Sequence, residues 1–477
     1  MKNTFIVDAT LREGKQSLRR DLSARNILLL AEKIVSLGID QLEVGHAAIS
    51  AAEINMLKQI KTTFPEVSLM THARAIHSDI QQAIAAQVDW IGIFISTNGF
   101  AKYRINNFSV EKIMEQAATS VEFAKANGLK VRFTIEDSSR TDSSLLLNVY
   151  ECAIQMGADR ICLADTLGIM DPKEVDCAVR MLTNWHNEIP LEVHFHNDRG
   201  LAMANSLQAI ESGAQWVSSS VNGIGERSGI TDTCLLLANL HHKGLRPLPA
   251  EGNIKEASEL VASTTRLAVD AHRPVVGNKA FLHVAKLHVN AMKKNPASYN
   301  WTEPALFGQQ TRCIEKLPPF QLSDLIIKPV PLADTKFDYL PLRNGNDYQL
   351  FNAQQIPDAN VSGTVKNIAL TDIPQLEFEP AEKHNVDRYS IFIGKNDHLE
   401  GLTCEVQLDD EIFLINSPAT IFIPAGIAYS YRIMNGEGFY FNHVLKGNDI
   451  LTPTQDSSGS KANNKLHAPL SILNSFL

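Results

Sequence analysis

The stretch LEVHFHND, residues 191–198, sets two histidines one residue apart inside a run that otherwise reads as a buried strand. Successive side chains of a strand point to opposite faces, so His194 and His196 share one face while Val193, Phe195 and Asn197 take the other. Two neutral imidazoles on one face can chelate one divalent ion. They can equally be ordinary hydrogen-bonded core histidines, so the surrounding chain has to decide.

Working outward, seven more short β-branched or aromatic runs appear: TFIVDAT (4–10), QLEVG (41–45), VSLMTH (67–72), WIGIFIS (90–96), VRFTIED (131–137), RICLADT (160–166) and WVSSSVNG (216–223). Between them the apolar residues fall at helical spacing, as in SARNILLLAEKIVSLG (23–38), where Ile27, Leu30, Ala31 and Ile34 form one stripe. Several of these stretches open on an N-cap residue and close on glycine: Ser23 to Gly38, Ser109 to Gly128, Asp142 to Gly157. Eight alternations within about 245 residues predict an α/β fold, a (β/α)8 TIM barrel. A doubly wound open sheet is the alternative, but no GxGxxG follows the first strand. In a barrel of this kind chemistry sits at the C-terminal ends of the strands. Polar residues gather there: Arg12 and Glu13, His72, Glu136 and Asp137, Asp165 and Thr166, the two histidines, then Asn222 and Glu226.

At 477 residues the chain exceeds one core. The reading divides it into a barrel (1–250), a helical subdomain contributing to the active site (251–315), an extended proline-rich linker (316–375), an all-β domain (376–450) and a flexible tail (451–477). A net charge of −9 argues against nucleic-acid or anionic-membrane partners. No stretch approaches the ~20 apolar residues of a membrane-spanning helix. The six cysteines are scattered without a CxxC pair, which suits a reducing, cytoplasmic setting and gives no zinc-thiolate site.

Glu13, in DATLREGKQ after the first strand, completes a two-histidine, one-carboxylate set with His194 and His196. Such a set leaves about three coordination positions open. With that, the strings DATLREGKQ, VRFTIEDSSRTD, LADTLGIMDP, HFHNDRGLAMANS and NGIGERSGIT, together with AKLHVNAMKKNPASY (285–299), resemble the 2-isopropylmalate and homocitrate synthase family of DRE-TIM metal-dependent barrels over residues 3–310. The resemblance implies an acyltransferase that adds the methyl carbon of an acyl-CoA, acetyl-CoA by default, to the keto carbon of a 2-oxo acid and hydrolyses the thioester. It implies a divalent metal ion (Mg, Mn or Zn) on Glu13, His194 and His196, with Arg12 stabilising oxyanion charge. It further implies His288 as the base, arranged with Glu136 and Tyr299, and a homodimer with a shared site.

Substrate contacts are expected from Arg12, Gln16, Arg132, Thr134 and Thr166, the last to the C1 carboxylate. Arg132 would point into the barrel, where an unpaired charge is costly, so an anionic partner is required. VRFTIED and GIGERSGIT lean toward the homocitrate synthases and their dicarboxylate, 2-oxoglutarate. Two departures leave oxaloacetate, phosphonopyruvate and 2-oxoisovalerate open. LREGKQ replaces the family's LREGEQ, so Lys15 adds positive charge near the mouth. The histidine that homocitrate synthases carry after the third strand has no clean counterpart in THARAIHSD, where Ile76 stands beside His77. A metal-dependent lyase on the same scaffold and a non-catalytic metabolite sensor are the other readings. NGIGERSGIT lacks the cysteine loop of the lyases, and the intact Arg12, Glu13, His194 and His196 disfavour a sensor.

SPATIFIPAGIAYSYR (417–432) resembles the second motif of cupin barrels, with Tyr429 where a metal histidine would stand. His384 and His398 read as remnants of the first motif. A metal-free cupin-like module for dimerisation or small-molecule sensing is expected.

Overall fold

Strands buried on both faces need near-continuous apolar sequence, and the eight runs found in the first half of the chain have it. A computed structural model describes residues 4–97, 109–249, 253–314, 330–331, 347–351, 362–368, 378, 381–383, 386–444 and 452–453. The chain divides into two units, residues 1–316 and 317–477.

In the first unit the strands are β1 (Phe5–Asp8), β2 (Gln41–Glu43), β3 (Ser68–Arg74), β4 (Trp90–Ser96), β5 (Lys130–Glu136), β6 (Arg160–Asp165), β7 (Leu191–Phe195) and β8 (Trp216–Ser219). They form one closed parallel barrel in chain order. β1 closes it against β8, with Phe5 opposite Trp216 and Asp8 opposite Ser219. Helices α1 (Ala24–Ser36), α2 (Ala51–Thr63), α3 (His77–Ala85), α4 (Val110–Ala126), α5 (Ser143–Gln155), α6 (Pro172–Trp185), α7 (Ala202–Ser212) and α8 (Thr233–His242) alternate with them. Local chemistry sets their starts. Ser23, Ser50, Ser109, Asp142 and Asp232 each accept from a first-turn N–H, and Asp171 with Glu174 forms a capping box before Pro172.

The alternation of β5 shows how the barrel positions chemistry. Val131, Phe133 and Ile135 belong to the apolar layer between strands and helices, while Arg132 and Thr134 face the interior. Helix α9 (Asn253–Thr265) then packs on α1, helped by a Lys33–Glu256 ion pair. After it come the short parallel pair β9 (Leu282–His283) and β10 (Arg312–Cys313), and helix α10 (Lys286–Lys294).

Among its described residues the second unit is all β. One sheet has six strands in the order 330–331, 347–351, 362–368, 438–444, 388–394, 419–423; the other has five, 411–416, 403–408, 428–435, 382–383, 452–453. Pairing within both is antiparallel. The expected linker over 316–375 is therefore corrected. Its segments 347–351 and 362–368 are sheet strands, because DYQLF and SGTVKNI carry the aromatic and β-branched residues that pair well. His384 and residues 454–477 lie outside the described residues. Among the described residues no helix is long and apolar enough to cross a membrane.

Phe133 is fully buried between β5 and the helices. Phe133→Ala should cost about 3–5 kcal/mol of barrel stability, read as a lowered denaturant midpoint by far-UV circular dichroism; a midpoint equal to the parent's would contradict this packing.

Candidate metal centre and active site

Directly after β1 the chain makes one π-helical turn, Thr10–Gly14, a wide turn often found at functional sites. Asp8 anchors its start by accepting from the Thr10 N–H at 2.9 Å and the Thr233 hydroxyl at 2.7 Å. Full burial raises the Asp8 carboxyl to about 6, against those hydrogen bonds. The turn delivers Arg12 and Glu13, both buried, to the mouth of the barrel.

Glu13, His194 and His196 converge there. One ligand atom from each lies within 4.8 Å of the others. His196 Nε2 stands 4.0 Å from Glu13 Oε1, and the two imidazole centroids are 5.1 Å apart. His194 Nδ1 is engaged by the Ser218 hydroxyl at 2.9 Å, which fixes the ring and leaves Nε2 for coordination. The Glu226 N–H donates to Glu13 Oε1 at 3.1 Å, and Arg12 donates to Oε2. Burial favours a neutral Glu13, but Arg12, the two histidines and that N–H outweigh it and hold the carboxyl at about 2. Burial, then the neighbouring His196 and Arg12, depresses His194 to about 3; burial likewise lowers His196. The donors are thus one carboxylate and two neutral imidazoles, the protonation state a metal requires. His196 Nδ1 is buried without a hydrogen-bond partner among the described residues. A buried polar atom left so is costly unless something else meets it. These residues fit a divalent ion.

Beneath this set runs a row of alternating charges. Arg12 Nη2 donates to Glu43 Oε2 at 3.0 Å; Arg132 donates to Glu43 Oε1 and to Glu192 Oε1, both at 2.9 Å; Arg160 Nε pairs with Glu192 Oε2 at 2.9 Å. Glu43 and Glu192 are fully buried. Burial alone would raise the Glu43 carboxyl, but Arg12 and Arg132 hold it well below the usual carboxylate range. Beside the row, His72 stacks on Phe94 at 4.6 Å, with Nδ1 2.9 Å from Arg132 Nη2. His46 meets His72 edge-on at 5.0 Å. Burial and then Arg12 keep both neutral, His72 well below its ordinary value and His46 at about 4.

The protein-family model described as HMGL-like matches residues 3–261, more than half of the chain. The chain belongs to the HMGL-like family. It is 37% identical over 307 residues to the homocitrate synthase of Pyrococcus horikoshii, covering 64% of this chain and 84% of that protein. It is 33% identical over 314 residues to the 2-isopropylmalate synthase of Methanocaldococcus jannaschii, covering 65% of this chain and 60% of that protein. Among solved structures, the hydroxymethylglutaryl-CoA lyase of Pseudomonas aeruginosa superposes with a TM-score of 0.52 at 20% identity, over 58% of this chain and 96% of that one. At that identity the likeness is one of fold alone. The resemblance to the 2-isopropylmalate and homocitrate synthases read from the sequence is borne out by these matches.

The expected site residues fall into two groups. Arg12, Glu13, His194, His196, Arg132 and Thr134 line the barrel interior, and Thr166 stands at the end of β6 with Oγ1 accepting from the Asp137 N–H at 2.8 Å. Gln16 is exposed one turn beyond Glu13. His288 stacks on Tyr299 at 3.8 Å, and Glu136 accepts from the Ser96 hydroxyl. Helix α10 and the turn after it hold two members of the expected trio and β5 the third. Two expectations are corrected. The anionic partner required by Arg132 is supplied by the protein, as Glu43 and Glu192, and the positive charge of Lys15 is offset by an ion pair with Glu53. Reading the sequence missed Glu43, Glu192 and the central position of His72; the available signal was a charged or imidazole side chain inside an otherwise apolar strand.

Burial lowers both imidazoles and Glu13 is held at about 2, so protons compete with a metal only below the ordinary imidazole range. Mn2+ affinity by titration calorimetry should stay level from about pH 7.5 to about 5.5 and fall only below that. A fall beginning near the ordinary imidazole value of about 6.5 would mean solvated histidines.

Proposed function

We propose that this HMGL-like protein condenses acetyl-CoA with an anionic 2-oxo acid, 2-oxoglutarate in preference, giving a 2-hydroxy-2-alkyl tricarboxylate after thioester hydrolysis. It is an acyltransferase, as its relatives named homocitrate synthase and 2-isopropylmalate synthase are. The observation that carries the reading is the convergence of Glu13, His194 and His196 beside Arg12 at the barrel mouth.

A divalent ion held by Glu13, His194 and His196 supplies Lewis-acid polarisation of the 2-oxo carbonyl. The chain's own residues do the rest. Arg12 keeps one donor, Nε, buried without a hydrogen-bond partner among the described residues, and aims its charge at the oxyanion that forms at the keto oxygen. The Thr166 hydroxyl receives the C1 carboxylate. His72 Nδ1 lies 2.9 Å from Arg132 Nη2 and 3.2 Å from Glu43 Oε1. The His72 ring and the Thr134 hydroxyl suit a polar distal end on the 2-oxo acid. This favours 2-oxoglutarate over 2-oxoisovalerate, whose apolar end would leave these polar groups unmatched.

A thioester methyl group is a weak acid and needs a base close by. His288, backed by Tyr299, takes that proton, with Glu136 completing the set across a homodimer. The exposure of Leu287, Tyr299 and Trp301 around α10 supports a subdomain that works against a neighbouring barrel. For the antiparallel unit we infer a metal-free cupin-like module for dimerisation or small-molecule sensing. Its would-be ligand position, Tyr429, is a buried phenol with the Arg388 guanidinium 4.8 Å from its ring centroid.

Free-thiol release from acetyl-CoA, followed with a thiol-reactive dye on metal-reconstituted protein, tests the reading across 2-oxoglutarate, oxaloacetate, phosphonopyruvate, pyruvate and 2-oxoisovalerate. Release should be fastest with 2-oxoglutarate, vanish in His194→Ala, and drop about 100-fold or more in kcat in Arg12→Ala. Silence with every acid would reject condensation with acetyl-CoA.

A further inference from the structure

The string NGIGERSGIT folds back on itself after β8. Gly229, at φ +79°, lies so close to Gly223 that a Cβ on it would stand 1.8 Å from the Gly223 carbonyl oxygen. A Cβ on Gly225 would stand 2.9 Å from Glu13 Cγ. The loop is therefore pressed against Glu13 of the metal set, and it also reaches His196. The Asn197 N–H donates to the Gly229 carbonyl at 2.9 Å, and His196 bridges to Ile230.

At the tip sits Arg227, in the left-handed region at φ +56°. That conformation is uncommon for a long side chain and persists only where the surroundings fix it. What fixes it is visible. The guanidinium grips Asp198 in a two-point fork, Nε to Oδ1 at 2.8 Å and Nη2 to Oδ2 at 2.9 Å, and Nη2 also donates to the Thr166 carbonyl at 2.6 Å. One side chain thus ties the loops after β6, β7 and β8. The first carries Thr166, the second follows His196, and the third supplies the N–H on Glu13.

We propose that Arg227 is a positioning residue that sets the spacing between the metal-holding His196 and the substrate-holding Thr166. The inference rests on the condensation reading above for the role of Thr166. Arginine suits the task because its planar fork meets a carboxylate and a carbonyl together, which a lysine ammonium does not fix in direction.

The decisive variant is Arg227→Gly, since glycine keeps the left-handed backbone without strain and removes only the clamp. Titration of Mn2+ into the metal-free full-length protein should show affinity weakened about 10-fold, and KM for the 2-oxo acid should rise while KM for acetyl-CoA holds. Asp198→Asn, which leaves residue 227 untouched, should reproduce both effects, and the double variant should be no worse than either single one. Guanidinium ion at sub-denaturing concentration should partly restore Mn2+ affinity to Arg227→Gly. Parent-like Mn2+ affinity in Arg227→Gly, or additive losses in the double variant, would overturn the proposal. So would a raised KM with unchanged Mn2+ affinity, which would make Arg227 a direct substrate contact. The Mn2+ arm needs no turnover, so it decides on Arg227 even if no 2-oxo acid is consumed.

Discussion

Five charges in a line, Arg12, Glu43, Arg132, Glu192 and Arg160, hold the interior of the barrel together. Each is buried, and each is tolerable only because its neighbour carries the opposite sign. Ionised groups taken out of water lose several kcal/mol of hydration apiece, and removing one member of a buried pair strands the other at a cost of about 3–5 kcal/mol. The row is therefore all-or-none. It also joins strands that are not neighbours, since its members come from β2, β5, β6, β7 and the turn after β1.

The site inherits its properties from this row. Arg12 is fixed from below by Glu43 and from the side by Glu13, so its guanidinium is already oriented before any substrate enters. Its positive charge, added to burial, keeps His194, His72 and His46 neutral. Three imidazoles become donors or ligands rather than competing cations. A barrel filled with aliphatic side chains would have been easier to stabilise but could not have presented a charged mouth of this definition.

The barrel and the metal-holding set were legible in the sequence because both are written locally. The alternation of apolar runs needs only a few residues to declare itself, and the spacing of His194 and His196 puts both on one face by strand geometry alone. The charge row was not legible, since Glu43 meets Arg132 across 89 positions of chain and Glu192 meets it across 60. Seen singly, Arg132 therefore called for an anionic ligand, and the protein supplied one. His288 and Glu136 likewise lie far apart in the chain, one on α10 and one on β5. Motif order carries no information on which copy of the chain supplies each part. Strands 347–351 and 362–368 were hidden by the prolines that surround them, which read as an extended connection.

The lowest member of the row has a geometric consequence. Arg160 lies 4.5 Å from the ring centroid of Trp90 and 4.0 Å from that of Trp216, at the end of the barrel away from the metal-holding set. Two indoles and a guanidinium between them form a stopper. The barrel is thus closed by packed side chains at that end, and the Glu13, His194 and His196 set belongs to the opposite one.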